Sequence, residues 1–280
     1  MKIFEFCNEE VKERKLLIEA LKIDINKKNI ISFVGGGGKT SLIYELGREL
    51  DRAGKKVIVT TTTRMFMPEN NVVLTGKRED IIRLLNSENM ITVGMLDYEK
   101  NVNIQYNQLK EKNTSDNMEE DRRKKKIMGL PENVAETLID LADYVLVEAD
   151  GSRRLPLKMP ADHEPVILKG SNMVIGVCGI DAIGKTIKET CHRPNLVSEF
   201  LEVEEEHIIN AGDVARILLS HKGQRKNVNC EYKVIVNKVD NNELFEIGKN
   251  IFCEVCKLGE AGLILTTFNF KECEDNIISI

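Results

Sequence analysis

Four consecutive glycines, Gly35-Gly36-Gly37-Gly38, stand between the apolar run Ile30-Ile31-Ser32-Phe33-Val34 and Lys39-Thr40-Ser41. The apolar run reads as a buried strand. Glycine alone adopts left-handed backbone conformations cheaply and leaves no Cβ in the way, so the loop can aim several N–H groups at one point. After it, Leu42, Ile43, Leu46, Leu50 and Ala53 recur at helical spacing, and Gly54 supplies a stop. Val57-Ile58-Val59 then forms a second strand, ending in Thr60 to Thr63. Strand, glycine loop, helix and strand in this order imply a right-handed βαβ crossover with parallel pairing.

Converging N–H groups at a helix N-terminus attract phosphate. Gly35, Gly36, Gly37, Gly38, Lys39, Thr40 and Ser41 are therefore the candidate phosphate-binding residues. Lys39 would bridge the β- and γ-phosphates of a nucleoside triphosphate, and the Thr40 hydroxyl would ligate Mg²⁺. The full pattern G-x-x-x-x-G-K-[ST] calls for glycine at position 33, where Phe33 stands, so only the second half is kept. A simple glycine turn between strand and helix is the alternative.

Further strands are expected at Ile91 to Met95, Tyr144 to Glu148, Val174 to Cys178, Tyr232 to Val236 and Gly262 to Leu265. Helices are expected over 78–86, 132–142, 203–219 and 242–257. The alternation predicts a three-layer α/β fold of the P-loop NTPase type, a mostly parallel central sheet with helices on both faces. The 280 residues suit a single domain over 1–280. An N-terminal helix is expected over about 9–24, from the stripe Leu16, Leu17, Ala20 and Leu21. The segment 107–126 ends in Glu119-Glu120-Asp121-Arg122-Arg123-Lys124-Lys125-Lys126 and is nearly devoid of apolar residues. It reads as a charged, mobile surface insertion.

The Tyr144 strand ends Glu148-Ala149-Asp150-Gly151-Ser152. A carboxylate at the end of a strand beside the glycine loop can hold Mg²⁺ or orient the attacking water. Asp150 is the first choice for the metal, with Thr40, and Glu148 is the second. Lys39, Asp150 and Glu148 form the candidate catalytic set. An aspartate before glycine can equally cap a turn. Tyr232-Lys-Val-Ile-Val-Asn237-Lys238-Val239-Asp240 is a strand followed by N-K-x-D, which resembles the guanine-reading motif of GTPases. Asp240 could accept the adjacent N1–H and 2-amino donors of guanine, which adenine lacks. The Lys238 stem would lie over the base, and Asn237 would brace the loop. GTP is thus preferred over ATP, unless Asp240 caps the following helix. Thr62, Thr63, Arg64, Arg153, Arg154, Lys158, His163 and Asp181 are further substrate or switch candidates. As an alternative, the threonines merely suit a strand and His163 is an ordinary loop histidine.

The net charge of −5, with 40 basic and 45 acidic residues, argues against general affinity for nucleic acid or anionic membrane. No stretch approaches the roughly 20 apolar residues of a membrane span. The acidic N-terminus does not resemble a signal peptide. A cytoplasmic location is expected. The cysteines at 7, 178, 191, 230, 253, 256 and 273 are expected to be free thiols. Cys253-x-x-Cys256 lacks a second pair to complete a zinc set and reads as structural.

Taken together, F-V-G-G-G-G-K-T, T-T-T-T-R-M, L-V-E-A-D-G-S-R-R-L-P-L-K, P-A-D-H-E-P-V-I, V-C-G-I-D-A-I-G-K and V-N-K-V-D occur in that order. The chain resembles the YqeC family of selenium-dependent hydroxylase accessory proteins, over about residues 14 to 269. The resemblance implies a P-loop NTPase that helps mature a selenium-dependent molybdenum hydroxylase, its partner enzyme. Two other functions stay open: a small-molecule kinase or nucleotide-dependent ligase, and a non-hydrolysing, nucleotide-gated chaperone or molybdenum-cofactor carrier.

Overall fold

The structure, a computed structural model, describes residues 1–7, 10–96, 125–260 and 262–271. Strands β1 (Lys2–Cys7) and β2 (Glu10–Arg14) precede α1 (Leu17–Ala20) and β3 (Asn29–Gly35). The glycine loop leads into α2 (Lys39–Arg52), followed by β4 (Val57–Thr61), β5 (Arg64–Phe66), β6 (Val72–Val73), α3 (Arg78–Ser87), β7 (Met90–Val93) and β8 (Met95–Leu96). Next come β9 (Lys126–Met128), α4 (Glu132–Ala135), which tightens into a 3₁₀ turn to Asp140, and β10 (Tyr144–Glu148). Then follow β11 (Leu157–Lys158), β12 (Met173–Gly179), α5 (Ile187–Thr190), β13 (Cys191–His192) and α6 (Pro194–Leu201). The last four elements are α7 (Ala211–Leu219), β14 (Glu231–Asn237), α8 (Asn242–Lys257) and β15 (Gly262–Thr267).

A ten-stranded sheet runs in the order β2-β1-β15-β14-β12-β3-β10-β4-β7-β6. Its pairings are parallel except for the two that β1 makes, with β2 and β15. Successive strand side chains enter opposite cores, as the period of two requires. Leu146, Val57 and Val59 pack with α2, whereas Val145, Val147 and Ile58 pack with α3 and α4. Toward the other edge Ile235 and Ile264 share the α2 core, and Val234, Val236, Leu263 and Leu265 face α7 and α8. The sheet is thus mostly parallel and covered on both faces. Helix α2 anchors the arrangement, with Leu42, Ile43, Leu46 and Leu50 fully buried. Each such side chain is worth roughly 1.5–3 kcal/mol of transfer free energy.

Some expectations change. The N-terminal helix over 9–24 is confined to Leu17–Ala20, and Glu10–Arg14 is a strand instead. The sheet edge at β15 accepts β1 as an antiparallel strand, and β2 pairs outside it. Edge pairing satisfies more backbone groups than a short isolated helix would. What remains of the helix is held by Glu49 of α2, which accepts the N–H groups of Leu17 (2.9 Å) and Ile18 (3.0 Å). Strands β3 and β4 do not pair with each other, because β10 lies between them. All five β10 residues are buried, so it needs a neighbour on each side. The helix expected over 203–219 begins only at Ala211, where Asn210 and Asp213 form a capping box. Residues 107–124 of the charged insertion and Cys273 lie outside the described residues. Among the described residues no helix is long and apolar enough to cross a membrane.

Candidate functional site

The parallel strands end together on one edge. In register, Glu148 lies beside Phe33 and Thr61, Gly35 beside Val177, and Asn237 beside both Gly179 and Thr266. Residues 200 positions apart in the chain, Gly37 and Asn237, thereby meet around the glycine loop. In open α/β sheets this carboxyl edge is where ligands bind.

The loop needs its glycines twice over. Gly35, Gly37 and Gly38 have φ of 94°, 73° and 116°. A Cβ on Gly37 would collide with Gly179 N, one on Gly38 with Asn237 Nδ2, and one on Gly36 would lie 2.5 Å from Leu155 O. Some of the loop's N–H groups are held by the protein. Gly36 donates to Val177 O (2.8 Å), Gly37 to Leu155 O (3.1 Å), and Gly35 to both oxygens of Asp150 (3.1 and 3.0 Å). Gly38 is the N-cap of α2, and no side chain among the described residues caps that helix.

Lys39, 4% exposed, donates to the Gly35 carbonyl and pairs with Asp150 Oδ1 at 2.9 Å. Asp150 Oδ2 pairs with the fully buried Lys158 at 3.1 Å. Lys158 also donates to Gly151 O (2.7 Å) and pairs with Glu164 (2.8 Å), which meets Arg193 at 2.5 Å. The result is an alternating chain, Lys39–Asp150–Lys158–Glu164–Arg193. Burial alone would make each of these charges costly, but every member has an oppositely charged partner. For Glu164 burial works against ionisation, yet the bonds from Arg193 and Lys158 outweigh it and hold its carboxyl at about 2. His192, in register with Lys158, is pushed down to about 4 by burial and then by the cations Arg193 and Lys158. It is therefore neutral at pH 7.

Thr40 Oγ1 donates to Glu148 Oε2 at 2.6 Å. Burial pushes the Glu148 carboxyl above its ordinary value, and the nearby charge of Lys39 opposes this only in part. The sequence favoured Asp150 as the carboxylate beside Thr40. Glu148 takes that place because it is the last residue of β10. Asp150, two residues on, has turned over the N–H of Gly35.

Asn237, 2% exposed, donates from Nδ2 to Gly37 O (2.9 Å) and accepts the Thr266 hydroxyl at Oδ1 (2.9 Å). Asp240 Oδ1 accepts the Thr267 hydroxyl at 2.5 Å. Lys238 (φ 67°) pairs with Asp181 at 2.7 Å.

The remaining candidates spread out. Thr62 donates to Val166 O (2.9 Å), and the Thr63 N–H bonds Thr61 Oγ1. Arg64 lies exposed on β5, and Ser41 is exposed on α2. Arg153 and Arg154 are exposed, with φ of 52° and 66°, and the Arg154 guanidinium lies 4.7 Å above the Phe66 ring. His163 is exposed and borders a cavity of about 540 Å³ with Ser171, Asn227 and Cys230, a cavity that no glycine-loop residue lines. The structure thus joins Gly35 to Thr40 with Glu148, Asp150, Lys158 and Asn237, but not with His163. Glu164, Arg193, Thr266, Thr267 and Gln224 are additions. Two hydroxyls ending the apolar run Leu263-Ile264-Leu265 could have marked the threonines. Nothing local marks Arg193 or Gln224.

The family model described as YqeC protein matches residues 31–195, more than half of the chain. The uncharacterized protein YqeC of Escherichia coli (strain K12) is 29% identical over 232 residues, covering 80% of this chain and 82% of that one.

Proposed function

The chain belongs to the YqeC family, and for it we propose a Mg²⁺-dependent P-loop nucleoside triphosphatase that prefers GTP. The observation that carries this reading is the pair of hydrogen bonds made by the Asn237 side chain. One amide joins the glycine loop at Gly37 to the base-reading loop and, through Thr266, to β15. A phosphate cradle and a purine reader act on one molecule only if their spacing is rigid, and Asn237 sets that spacing.

The residues fit the parts assigned to them. The cradle glycines sit where a Cβ would collide, and α2 opens with no side-chain cap among the described residues. Thr40 and Glu148 offer two oxygens 2.6 Å apart at the mouth of α2. They would hold Mg²⁺, with phosphate oxygens and water completing its preferred six ligands. When bound, the ion neutralises charge on the β- and γ-phosphates. Lys39 would leave Asp150 for the phosphates and offset the charge that grows in the transition state. Asp150 keeps Lys158 and the Gly35 N–H after that exchange, so no buried carboxylate is stranded. The displacement loosens one link of the Lys39–Arg193 chain, and the 151–165 loop becomes the switch. Thr267 holds one oxygen of Asp240, and the carboxylate so held would accept the guanine donors.

Water is the acceptor in this reading. Action as a maturation factor for a selenium-dependent molybdenum hydroxylase belongs to the same proposal, and its support is the family resemblance alone. The exposed Arg153 and Arg154, held at positive φ directly after Gly151-Ser152, favour as second reading a kinase that binds an anionic acceptor there. Titration calorimetry with non-hydrolysable GTP and ATP analogues, with and without Mg²⁺, tests the main reading. Mg²⁺-dependent, GTP-preferring binding supports it, and binding of neither nucleotide sinks it.

A further inference from the structure

Gln224 lies in the turn after α7, and its side chain is 2% exposed. Among the described residues, neither Oε1 nor Nε2 of its carboxamide has a hydrogen-bond partner. Buried carboxamides are ordinarily paired, because each unmet donor or acceptor carries its full desolvation cost. The turn pins the residue in place: Gln224 N donates to Ile217 O (2.9 Å), and Gly223 N donates to Ser220 O (2.9 Å). The carboxamide is pressed against the phosphate loop. A Cβ on Gly35 would lie 2.6 Å from Gln224 Cδ and closer still to Oε1. A methionine or leucine would fill this space without the polar cost, so packing does not account for the glutamine.

Gly35 itself has an exchangeable partner. Its carbonyl is bonded by Lys39 Nζ, the group that the nucleotide reading sends to a phosphate. Its N–H stays with Asp150, which retains Lys158. The carbonyl alone would be left without a donor, buried at the end of β3. A half-turn about the last side-chain torsion of Gln224 exchanges Oε1 and Nε2, which brings an N–H to the Gly35 side.

We infer that Gln224 is a positioning residue for the phosphate loop, taking over the Gly35 carbonyl when Lys39 leaves it. The inference rests on the nucleotide reading above. It explains why a costly unpaired amide is held where it is: its partner becomes available only in the loaded state. The free protein bears the cost, and ligand binding recovers it.

Two measurements test it. In the first, Gln224→Met and Gln224→Leu are titrated with a non-hydrolysable GTP analogue and Mg²⁺, and their thermal melting is recorded without ligand. The expected result is melting equal to or above wild type, with affinity at least tenfold weaker. Wild-type affinity in both variants overturns the inference while leaving the nucleotide reading intact. Failure of the wild-type protein to bind overturns the nucleotide reading instead. The second needs no nucleotide. In a Lys39→Met background the Gly35 carbonyl is already freed, so Gln224 should already hold it. Gln224→Met should then lower the melting temperature by several degrees, although it does not do so in the wild-type background. Equal effects of Gln224→Met in the two backgrounds overturn the exchange, whatever the nucleotide titration shows.

Discussion

Glu148 accepts the hydroxyl of Thr40 across 108 positions of sequence, and this 2.6 Å bond joins the end of β10 to the first turn of α2. A carboxylate there is doubly constrained. Burial favours its protonated form, while a divalent cation requires the ionised one.

At a pH low enough for Glu148 to carry its proton, Mg²⁺ binding should release that proton. Because its value is raised, the proton persists above the ordinary carboxylate range, and Mg²⁺ affinity should climb as pH rises through that window. Calorimetry of Mg²⁺–nucleotide binding in two buffers of different ionisation enthalpy would count the proton. Glu148→Gln should remove both the release and the Mg²⁺ dependence. Unchanged Mg²⁺ dependence of nucleotide binding in Glu148→Gln would exclude Glu148 as the ligand.

Glu164 behaves oppositely. Its value of about 2 lies below that of the unfolded chain, so its pairing with Arg193 and Lys158 stabilises the fold fully above the ordinary value of 4.5. That contribution is lost as pH falls from 4.5 toward 2. Glu164→Gln should cost on the order of 2 kcal/mol at pH 7, and the gap from wild type should narrow below pH 4. Urea unfolding of both proteins at pH 7 and pH 3 measures it. A gap that does not change with pH would show that the loss is one of packing rather than charge.

Two glycines with nearly the same φ should respond differently to alanine. Gly54 (φ 76°) has nothing within 4 Å of an added Cβ, so Gly54→Ala should cost only about 1 kcal/mol of backbone strain. Gly37 (φ 73°) adds a collision with the backbone of Gly179, and Gly37→Ala should cost several kcal/mol or prevent folding. Should it fold, nucleotide binding is expected to be absent. Chemical denaturation of the pair decides the matter, and similar losses would mean that the loop can relax away from β12.

Asp240→Asn exchanges an acceptor for a group that can donate. The variant should lose affinity for GTP by at least tenfold and gain it for xanthosine triphosphate, whose 2-oxo group accepts. Thr267→Val should weaken GTP less, since it frees the Asp240 carboxylate without removing it. Competition binding with the three purine triphosphates is the readout. Intact GTP affinity in Asp240→Asn would leave N-K-x-D as a structural loop.

Much of this arrangement was legible before the fold was known. Helix α2 and strands β3, β4, β10, β12 and β14 declare themselves through local periodicity, because an amphipathic or buried segment carries its pattern in adjacent residues. The glycine loop declares itself because no other residue tolerates its backbone angles. The placing of both motifs at strand ends follows from those same patterns. The tertiary structure alone decided which strands are neighbours. It set β10 between β3 and β4, turned residues 10–14 into an edge strand, and put Glu148 rather than Asp150 against Thr40. It also brought in Arg193 and Gln224, two polar residues with no local mark in the sequence, and set Arg193 on Glu164 of the D-H-E-P run. Arg193 acts on Glu164, 29 positions away, and Gln224 lies against Gly35 from the other half of the chain, and a pairing at such distance has no signature in the residues on either side. The physical reason is that strand order and buried charge pairing are settled by the whole sheet packing at once, whereas strands, helices and turns are largely settled by their own few residues.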